Sequence, residues 1–208
     1  MLYSLVRLVI WGWLFAGAYY WIVNKSKIIK KKRIVILSLV LCLVLSSASG
    51  LIPVENLVIN FDSPEDVLWY YQKSKVDEVL YGNVSSMVIF TDIWDSSTGY
   101  LIVPRSPKGY KIPSYFSSRS ILRKTNSIAD IVWFDIISLI GTDDYYIYGH
   151  FFSEEDEVTI TDSNNTVRHI ADRMRNSDIY SIRFFGYIES FTYDYYLVVN
   201  GEKVDMYD

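Results

Sequence analysis

Two long apolar runs occupy the first quarter of the chain. Residues 2–23 contain a single charge, Arg7, and residues 34–52 contain none. About 20 helical residues cross the roughly 30 Å apolar core of a bilayer, so each run is long enough to span it. Inside lipid, each run would have to satisfy its own backbone hydrogen bonds as a helix. The pattern therefore predicts that residues 1–53 form a membrane anchor, a two-helix transmembrane hairpin in which Arg7 reaches the headgroups.

The segment between the two runs, residues 24–33, is strongly basic. It holds six of the seven positive charges of the anchor: Lys25, Lys27, Lys30, Lys31, Lys32 and Arg33. Short basic loops stay on the cytoplasmic side of a membrane, so both termini are predicted to be extracytoplasmic. The expectation is a multi-pass protein of the cell membrane, with two helices and membrane lipid as a partner.

Cleavage of the second run as a secretion signal is the alternative. The small residues "SSASG" follow that run and would place the cut near Ser49. A signal peptide, however, begins at the N-terminus and is about 15–30 residues long, whereas here a complete apolar run comes first. Both readings place residues 54–208 outside the cytoplasm.

Residues 54–208 form the second predicted unit. One helix is expected near its start, where capping, proline and acidic residues follow one another: Asp62 or Ser63 as N-cap, Pro64 at the first position, then Glu65 and Asp66. Beyond it, short runs rich in Ile, Val, Tyr and Phe are broken by turn residues, which is typical of antiparallel sheet. The predicted fold class is α+β, mostly antiparallel β, with one N-terminal helix, preceded by the transmembrane hairpin.

Three later segments carry more specific expectations. Asn200-Gly201 is the dipeptide of a type I′ hairpin turn, and pairing outward from it places Leu197 and Val204 on one face. Residues 127–140 fit neither helical nor strand periodicity cleanly, and their surroundings favour a strand. Residues 165–176 are compatible with strand or helix, and the spacing of their apolar positions slightly favours the helix.

The stretch "FDSPEDVLWYYQKSK", followed by "SSMVIFTD" and "GYLIVPRSPKGYKIP", resembles the opening of an external domain on small membrane-anchored proteins of Gram-positive bacteria. The resemblance covers residues 60–113 and implies an extracytoplasmic domain with a short helix followed by strands. That group has no assigned activity, so the resemblance implies no mechanism. The chain departs from lipid-anchored members because two apolar runs replace the acylated cysteine.

Charge is distributed very unevenly along the chain. All 24 acidic residues lie from Glu55 onward, whereas seven of the 20 basic residues precede it and 13 follow. The second unit therefore carries a net charge of −11, which follows from those two counts. Nucleic-acid binding needs clustered Lys and Arg to replace phosphate counterions, so a nucleic-acid partner is excluded.

The residue inventory offers little catalytic chemistry. Cys42, the only cysteine, lies in an apolar run, so no intrachain disulfide is possible, and the only histidines are His150 and His169. No nucleophile-elbow motif and no glycine-rich phosphate loop is present. Asp143 and Asp144 are explained as turn residues. No catalytic residue and no cofactor is assigned.

The weak metal candidates are His150, Glu154 and Glu157, which belong to the string "GHFFSEEDE". Carboxylates of this kind can hold Ca²⁺, but an exposed acidic turn needs no ion. The string "DSNNT", beginning at Asp162, resembles the start of a calcium loop, yet it lacks the central Gly and the distant Glu. An Asx turn is the expected structure there.

The C-terminal half is rich in Tyr, which strand pairing rewards and which also favours binding surfaces. We expect a membrane-anchored extracytoplasmic binding or interaction protein whose partner is an envelope protein, a peptide or a wall component. One alternative is an extracytoplasmic enzyme of unrecognised type, which would require His150 or carboxylates to converge in a pocket. The other alternative is an accessory subunit of a membrane complex.

Overall fold

The structure is a computed structural model that describes residues 2–25, 53–126, 132–154, 157–173, 178–192 and 194–205, together with residues 37, 40 and 44. Its elements are, in chain order, α1 (Leu2–Lys25), a 3₁₀ helix (Val54–Leu57), α2 (Pro64–Tyr71), β1 (Ser74–Tyr81), β2 (Ser85–Asp92), β3 (Thr98–Ser106), β4 (Gly109–Tyr110), β5 (Ser118–Asn126), β6 (Val132–Leu139), β7 (Tyr145–Ser153), β8 (Ile160–Asp162), β9 (Arg168–Arg173), β10 (Tyr180–Ile188), β11 (Tyr196–Val199) and β12 (Glu202–Asp205).

The described strands form three antiparallel sheets. The first sheet has the order β1-β2-β3-β4, the central sheet β5-β6-β7-β10-β9, and the third sheet β12-β11-β8. Neighbouring strands pair antiparallel throughout these sheets. The architecture is therefore mostly antiparallel β.

The sheets stack as layers with α2 on the outside. Met87 and Ile89 of β2 face the central sheet and pack with Tyr148 and Phe185, whereas Val88 between them faces the buried side of α2. The opposite face of the central sheet packs on the third sheet through the largest core cluster. Because successive strand residues point to opposite faces, single strands contribute to two cores.

α2 begins where the sequence predicts it. The Ser63 hydroxyl accepts a hydrogen bond from the Asp66 backbone N–H at 3.1 Å, and Pro64 occupies the first helical position. The helix ends at Tyr71 because Gln72 turns extended and donates its N–H to the Leu68 carbonyl. The predicted N-terminal helix of the second unit is confirmed, with Ser63 rather than Asp62 as its cap.

The predicted hairpin is also confirmed. Asn200 and Gly201 both have positive φ, 51° and 83°, as a type I′ turn requires. The pairing register places Leu197 opposite Val204, and both side chains are fully buried. The asparagine side chain stabilises the turn further, because its oxygen accepts a hydrogen bond from the Thr159 N–H at 3.0 Å.

The two ambiguous segments are both strands where they are described. β6 fits no single period because both of its faces are buried, Phe134 in one core and Ile137 in the other. The helix favoured for residues 165–176 is wrong, because β9 pairs there as an edge strand with β10. Its exposed polar residues surround half-buried Ile170, so the apolar spacing does not reflect a buried helix face.

The predicted two-helix transmembrane hairpin is wrong. Among the described residues, no helix combines the length and the apolar character needed to cross a bilayer. α1 is long, but Arg7 and a series of amphipathic aromatic residues lie within it: Trp11, Trp13, Tyr19, Tyr20 and Trp21. The guanidinium of Arg7 does not extend toward headgroups, because it donates to the fully buried carboxylate of Glu55 at 2.8 Å.

This finding corrects three expectations that rested on the hairpin. The fold class is mostly antiparallel β rather than an α+β domain behind a transmembrane hairpin. The description as a transmembrane protein is wrong, and so is the predicted location as a multi-pass protein of the cell membrane with two helices. The second apolar run lies outside the described residues except for 37, 40 and 44, and most of the basic loop does too: Lys27, Lys30, Lys31, Lys32 and Arg33. Lys25 is the last residue of α1.

Candidate ligand-binding groove

A groove lies between the first and central sheets, beside the C-terminal end of β2. It has two adjoining parts, a polar end of about 770 Å³ and an aromatic end of about 550 Å³. Thr98 and His150 line both parts, so the two form one continuous concavity, which we call the inter-sheet groove. One ligand could therefore contact both ends at once.

The register of the central sheet brings the polar residues of the groove onto one face. His150 of β7 lies opposite Arg183 of β10, and Phe152 lies opposite Ser181. Ser181 is in turn opposite Asp172 of β9. Residues directly opposite each other in antiparallel strands point to the same face of the sheet, so these five side chains form the floor of the groove.

Arg183 lies at the centre of the polar end and bridges the two sheets. Its side chain is only 4% exposed, and it donates to Asp77 of β1 at 2.9 Å and to Asp172 at 2.7 Å. A bulge between Val76 and Glu78 makes Asp77 the extra residue of β1 and directs its carboxylate toward Arg183. The bulge thus places a charged side chain where the regular alternation of the strand would not predict it.

The Asp77 carboxyl has a lowered pKa. Burial alone would raise that pKa, but hydrogen bonds from the Thr91 hydroxyl, at 2.6 Å, and from Arg183 outweigh it because they stabilise the ionised form. Asp77 therefore stays charged at neutral pH and holds Arg183 in place.

His150 connects the two ends of the groove. Its Nε2 lies 2.9 Å from the Ser181 hydroxyl, and its ring meets Phe152 edge-on with centroids 4.6 Å apart. Burial lowers the pKa of the imidazole, and the positive charge of Arg183 lowers it further. The ring is consequently neutral at neutral pH, and it can exchange hydrogen bonds with a ligand or with Ser181.

The aromatic end consists of three rings and a glycine. Tyr100 and Tyr148 have centroids 4.9 Å apart, and Trp133 meets Tyr148 edge-on at 6.2 Å. Arg123 places its guanidinium 5.7 Å from the Trp133 ring while pairing with buried Asp135 at 2.8 Å. These contacts fix the ring positions before any ligand arrives.

The predicted metal candidates take separate positions. His150 faces the groove, whereas Glu154 and Glu157 are exposed beyond the end of β7. In the described part of the chain, no three His, Cys, Asp or Glu side chains form a group that could hold a metal ion. Asp162 begins a turn, as the sequence predicts, and its backbone carbonyl accepts from the Asn165 N–H at 3.0 Å. Its carboxylate accepts from the N–H and the hydroxyl of Thr166, the latter at 2.8 Å, four residues on rather than the two of the expected Asx turn.

A second polar cluster closes the opposite end of the sandwich. Asp144 is buried and accepts hydrogen bonds from the backbone N–H groups of Asn83 and Val84, both at 2.9 Å, and from the Ser85 hydroxyl at 2.6 Å. Burial would raise the pKa of this carboxyl, but the hydrogen bonds lower it overall. Explaining Asp144 as a turn residue misses this role, because its partners lie about 60 positions earlier in the chain.

Comparison with known proteins finds no match: no family model, no curated sequence and no solved structure is significantly similar to the chain. The resemblance of residues 60–113 to an external domain of Gram-positive proteins thus stays a prediction. Conclusions about function depend on the inter-sheet groove itself.

Proposed function

We propose that this chain is a binding protein and that its ligand occupies the inter-sheet groove. The observation that carries the proposal is the continuity of the groove, in which Thr98 and His150 line both the aromatic end and the polar end. Ligand sites in proteins are concave, with aromatic area for affinity and a few convergent polar groups for orientation. The groove combines both features.

Preorganisation supports the same proposal. Arg183 is held by two carboxylates, and His150 is held by Ser181. Side chains that are already ordered lose little conformational entropy when a ligand binds, so more of the contact energy remains as affinity. A groove of this kind suits recognition without any chemical change in the ligand.

A site-specific photo-crosslinker in the groove tests the proposal, because it captures a bound ligand whatever its identity. Benzoylphenylalanine would replace Thr98 in the full chain, expressed in its own cells. The matched control replaces Thr159, which is also an exposed threonine but precedes the third sheet. We expect irradiation to give a discrete adduct from position 98 and none from position 159. Equal adducts at both positions, or none at either, would contradict binding in the groove.

Hydrolysis is the second candidate function, favoured by one observation. The Ser181 hydroxyl and the His150 Nε2 are 2.9 Å apart, within the distance at which a base activates a nucleophile. In this reaction His150 would take the Ser181 proton during attack on an acyl carbon and return it to the leaving group, which departs as the acyl ester of Ser181 forms. Water, deprotonated by His150, would then release the acid and restore the Ser181 hydroxyl. Among the described residues, Ser181 is the hydrogen-bond partner of the His150 ring, and no third group orients that ring as a catalytic triad would. We therefore place hydrolysis second.

A fluorophosphonate probe separates the two functions. A hydrolase would label at Ser181, and the label would disappear in Ser181→Ala while Ser163→Ala, at an exposed turn, kept it. A binding protein would show no Ser181-dependent label yet would retain the crosslink from position 98.

A further inference from the structure

The aromatic end of the groove offers ring faces to a ligand. Trp133 and Tyr100 are half-buried rather than enclosed, and both contact the buried ring of Tyr148. Gly99 lines the same end and contributes backbone without a side chain. Aromatic faces carry negative partial charge. They therefore attract C–H groups of slight positive charge, and a pyranose ring presents such groups on its faces.

The polar end offers hydrogen-bond donors and acceptors together. Three cationic and two anionic side chains line it: Lys75, Arg173, Arg183, Asp77 and Asp172. Because these charges nearly balance and Arg183 is already paired with both carboxylates, the site has no strong excess field to select a charged ligand. A hydroxyl group donates and accepts at the same oxygen, so a polyhydroxylated ligand matches this mixed set.

Strand addition by a peptide fits the groove less well. Four of the five floor side chains come from β7 and β10, which are interior strands with both edges already paired, and the fifth, Asp172, comes from the edge strand β9. β1 is an edge strand, but the bulge at Asp77 interrupts its hydrogen-bond ladder beside the groove. Bulges of this kind hinder pairing with another chain. Along β7 and β10, the groove thus presents side chains rather than free backbone groups.

We infer that the inter-sheet groove binds an uncharged oligosaccharide. One pyranose ring lies on Trp133 and Tyr100, and the hydroxyl groups of a neighbouring sugar unit bond to Asp172 and Ser181. The inference rests on the proposed binding function, because it names the class of ligand for the same groove. His150, which lines both ends, then lies at the junction between the two sugar units.

Calorimetric titration of the full chain with chitotetraose, cellotetraose and maltotetraose tests the inference. We expect at least one of these to bind and Trp133→Ala to weaken that binding by about tenfold or more. Trp69→Ala is the matched control, since Trp69 is exposed on α2, across the first sheet from the groove. Trp133→Phe keeps a ring and retains part of the affinity, while thermal unfolding checks that each variant is folded.

Two further probes define the results that would overturn the inference. If tetragalacturonate binds more than about tenfold tighter than every neutral tetrasaccharide, the groove selects anions. If uncharged octapeptides bind and no tetrasaccharide does, or if Trp133→Ala and Trp69→Ala weaken binding equally, the inference is also wrong. A crosslink specific to position 98 would then leave the binding function standing, whereas its absence would remove both proposals.

Discussion

Arg183 and Asp77 form an ion pair of 2.9 Å that joins the central sheet to the first sheet. Their side chains are 4% and 7% exposed, so water screens the pair weakly. A second carboxylate, Asp172 of the neighbouring strand, accepts a hydrogen bond from the guanidinium at 2.7 Å. The polar end of the inter-sheet groove therefore also helps to hold the two sheets together.

Removing Arg183 is expected to destabilise the whole fold. Among the described residues, Arg183→Met leaves the buried Asp77 carboxylate with only one cationic partner, the exposed Lys75 at 3.4 Å. Losing the buried cation should cost about 3 kcal/mol or more of the free energy of unfolding in urea. Arg168→Met is the matched control, because Arg168 pairs with Glu78 of the same two sheets but is 69% exposed. That exposed pair is worth about 1 kcal/mol or less. Equal losses in both variants would contradict a buried bridge at Arg183.

Asp144 is expected to control stability in acid. Its pKa in the folded state lies below the unfolded value of about 3.9. The stabilisation that the Asp144 carboxylate gives to the folded state is therefore fully present above that unfolded value, and it is lost as the pH falls through the folded-state pKa. Asp144→Asn should lower the free energy of unfolding at pH 7 by about 2 kcal/mol and should flatten the pH dependence of that free energy below about pH 4.

Asp143→Asn serves as the control for that experiment, because Asp143 is the exposed neighbour of Asp144 in the same turn. Urea unfolding from acid to neutral pH gives both profiles. The cluster at Asp144 would be irrelevant to acid stability if the two substitutions flattened the profile equally.

Gly149 is expected to tolerate no side chain. Gly149 lies directly opposite Phe184 in the pairing of β7 with β10, and a Cβ at Gly149 would overlap the Phe184 ring. Gly149→Ala should cost about 2 kcal/mol or more, because a close-packed core has no space to accept the methyl group. Phe184→Leu makes room, so the double substitution should cost less than the sum of the two single ones by about 1 kcal/mol. Strict additivity would contradict this register.

The helix cap offers a smaller and more local test. Ser63→Ala removes the acceptor for the Asp66 N–H and should lower the free energy of unfolding by about 1 kcal/mol. Ser63→Thr keeps the acceptor and also the hydroxyl that donates to the Asp66 carboxylate at 2.9 Å, so it should preserve stability. Thermal or urea unfolding distinguishes the two, and an equal loss in both would show that the cap contributes nothing.

Predictions from the sequence succeed where the cause lies within a few residues. The cap at Ser63 and the turn at Asn200-Gly201 are such cases, since the stabilising partner is three residues away or in the adjoining strand. They fail for β9, because pairing with β10 overrides a helical spacing of apolar residues. Edge strands with one half-buried position give little periodic signal, so local pattern could not decide between helix and strand there.

The groove could not be predicted, because its residues come from distant parts of the chain. The sequence singles out His150, but with Glu154 and Glu157 as neighbours rather than Ser181 and Arg183. Strand register determines which residues lie beside His150, since it places its hydrogen-bond partner, Ser181, in β10, 31 residues later. A signal is present in the sequence, because Arg183 stands between Ile182 and Phe184 in a largely apolar strand, and a buried arginine requires a carboxylate partner.

The sequence by itself determined the local elements: the capped helix, the I′ hairpin and the antiparallel strand composition of the second unit. Tertiary structure alone decided that Arg7 of an apolar helix pairs with Glu55, 48 residues later, and that Arg183 meets Asp77 across 106 residues. The physical reason is that capping and turn geometry depend on neighbouring backbone groups. The partner of a buried charge, in contrast, depends on how sheets pack and on a one-residue bulge, which no local window of sequence contains.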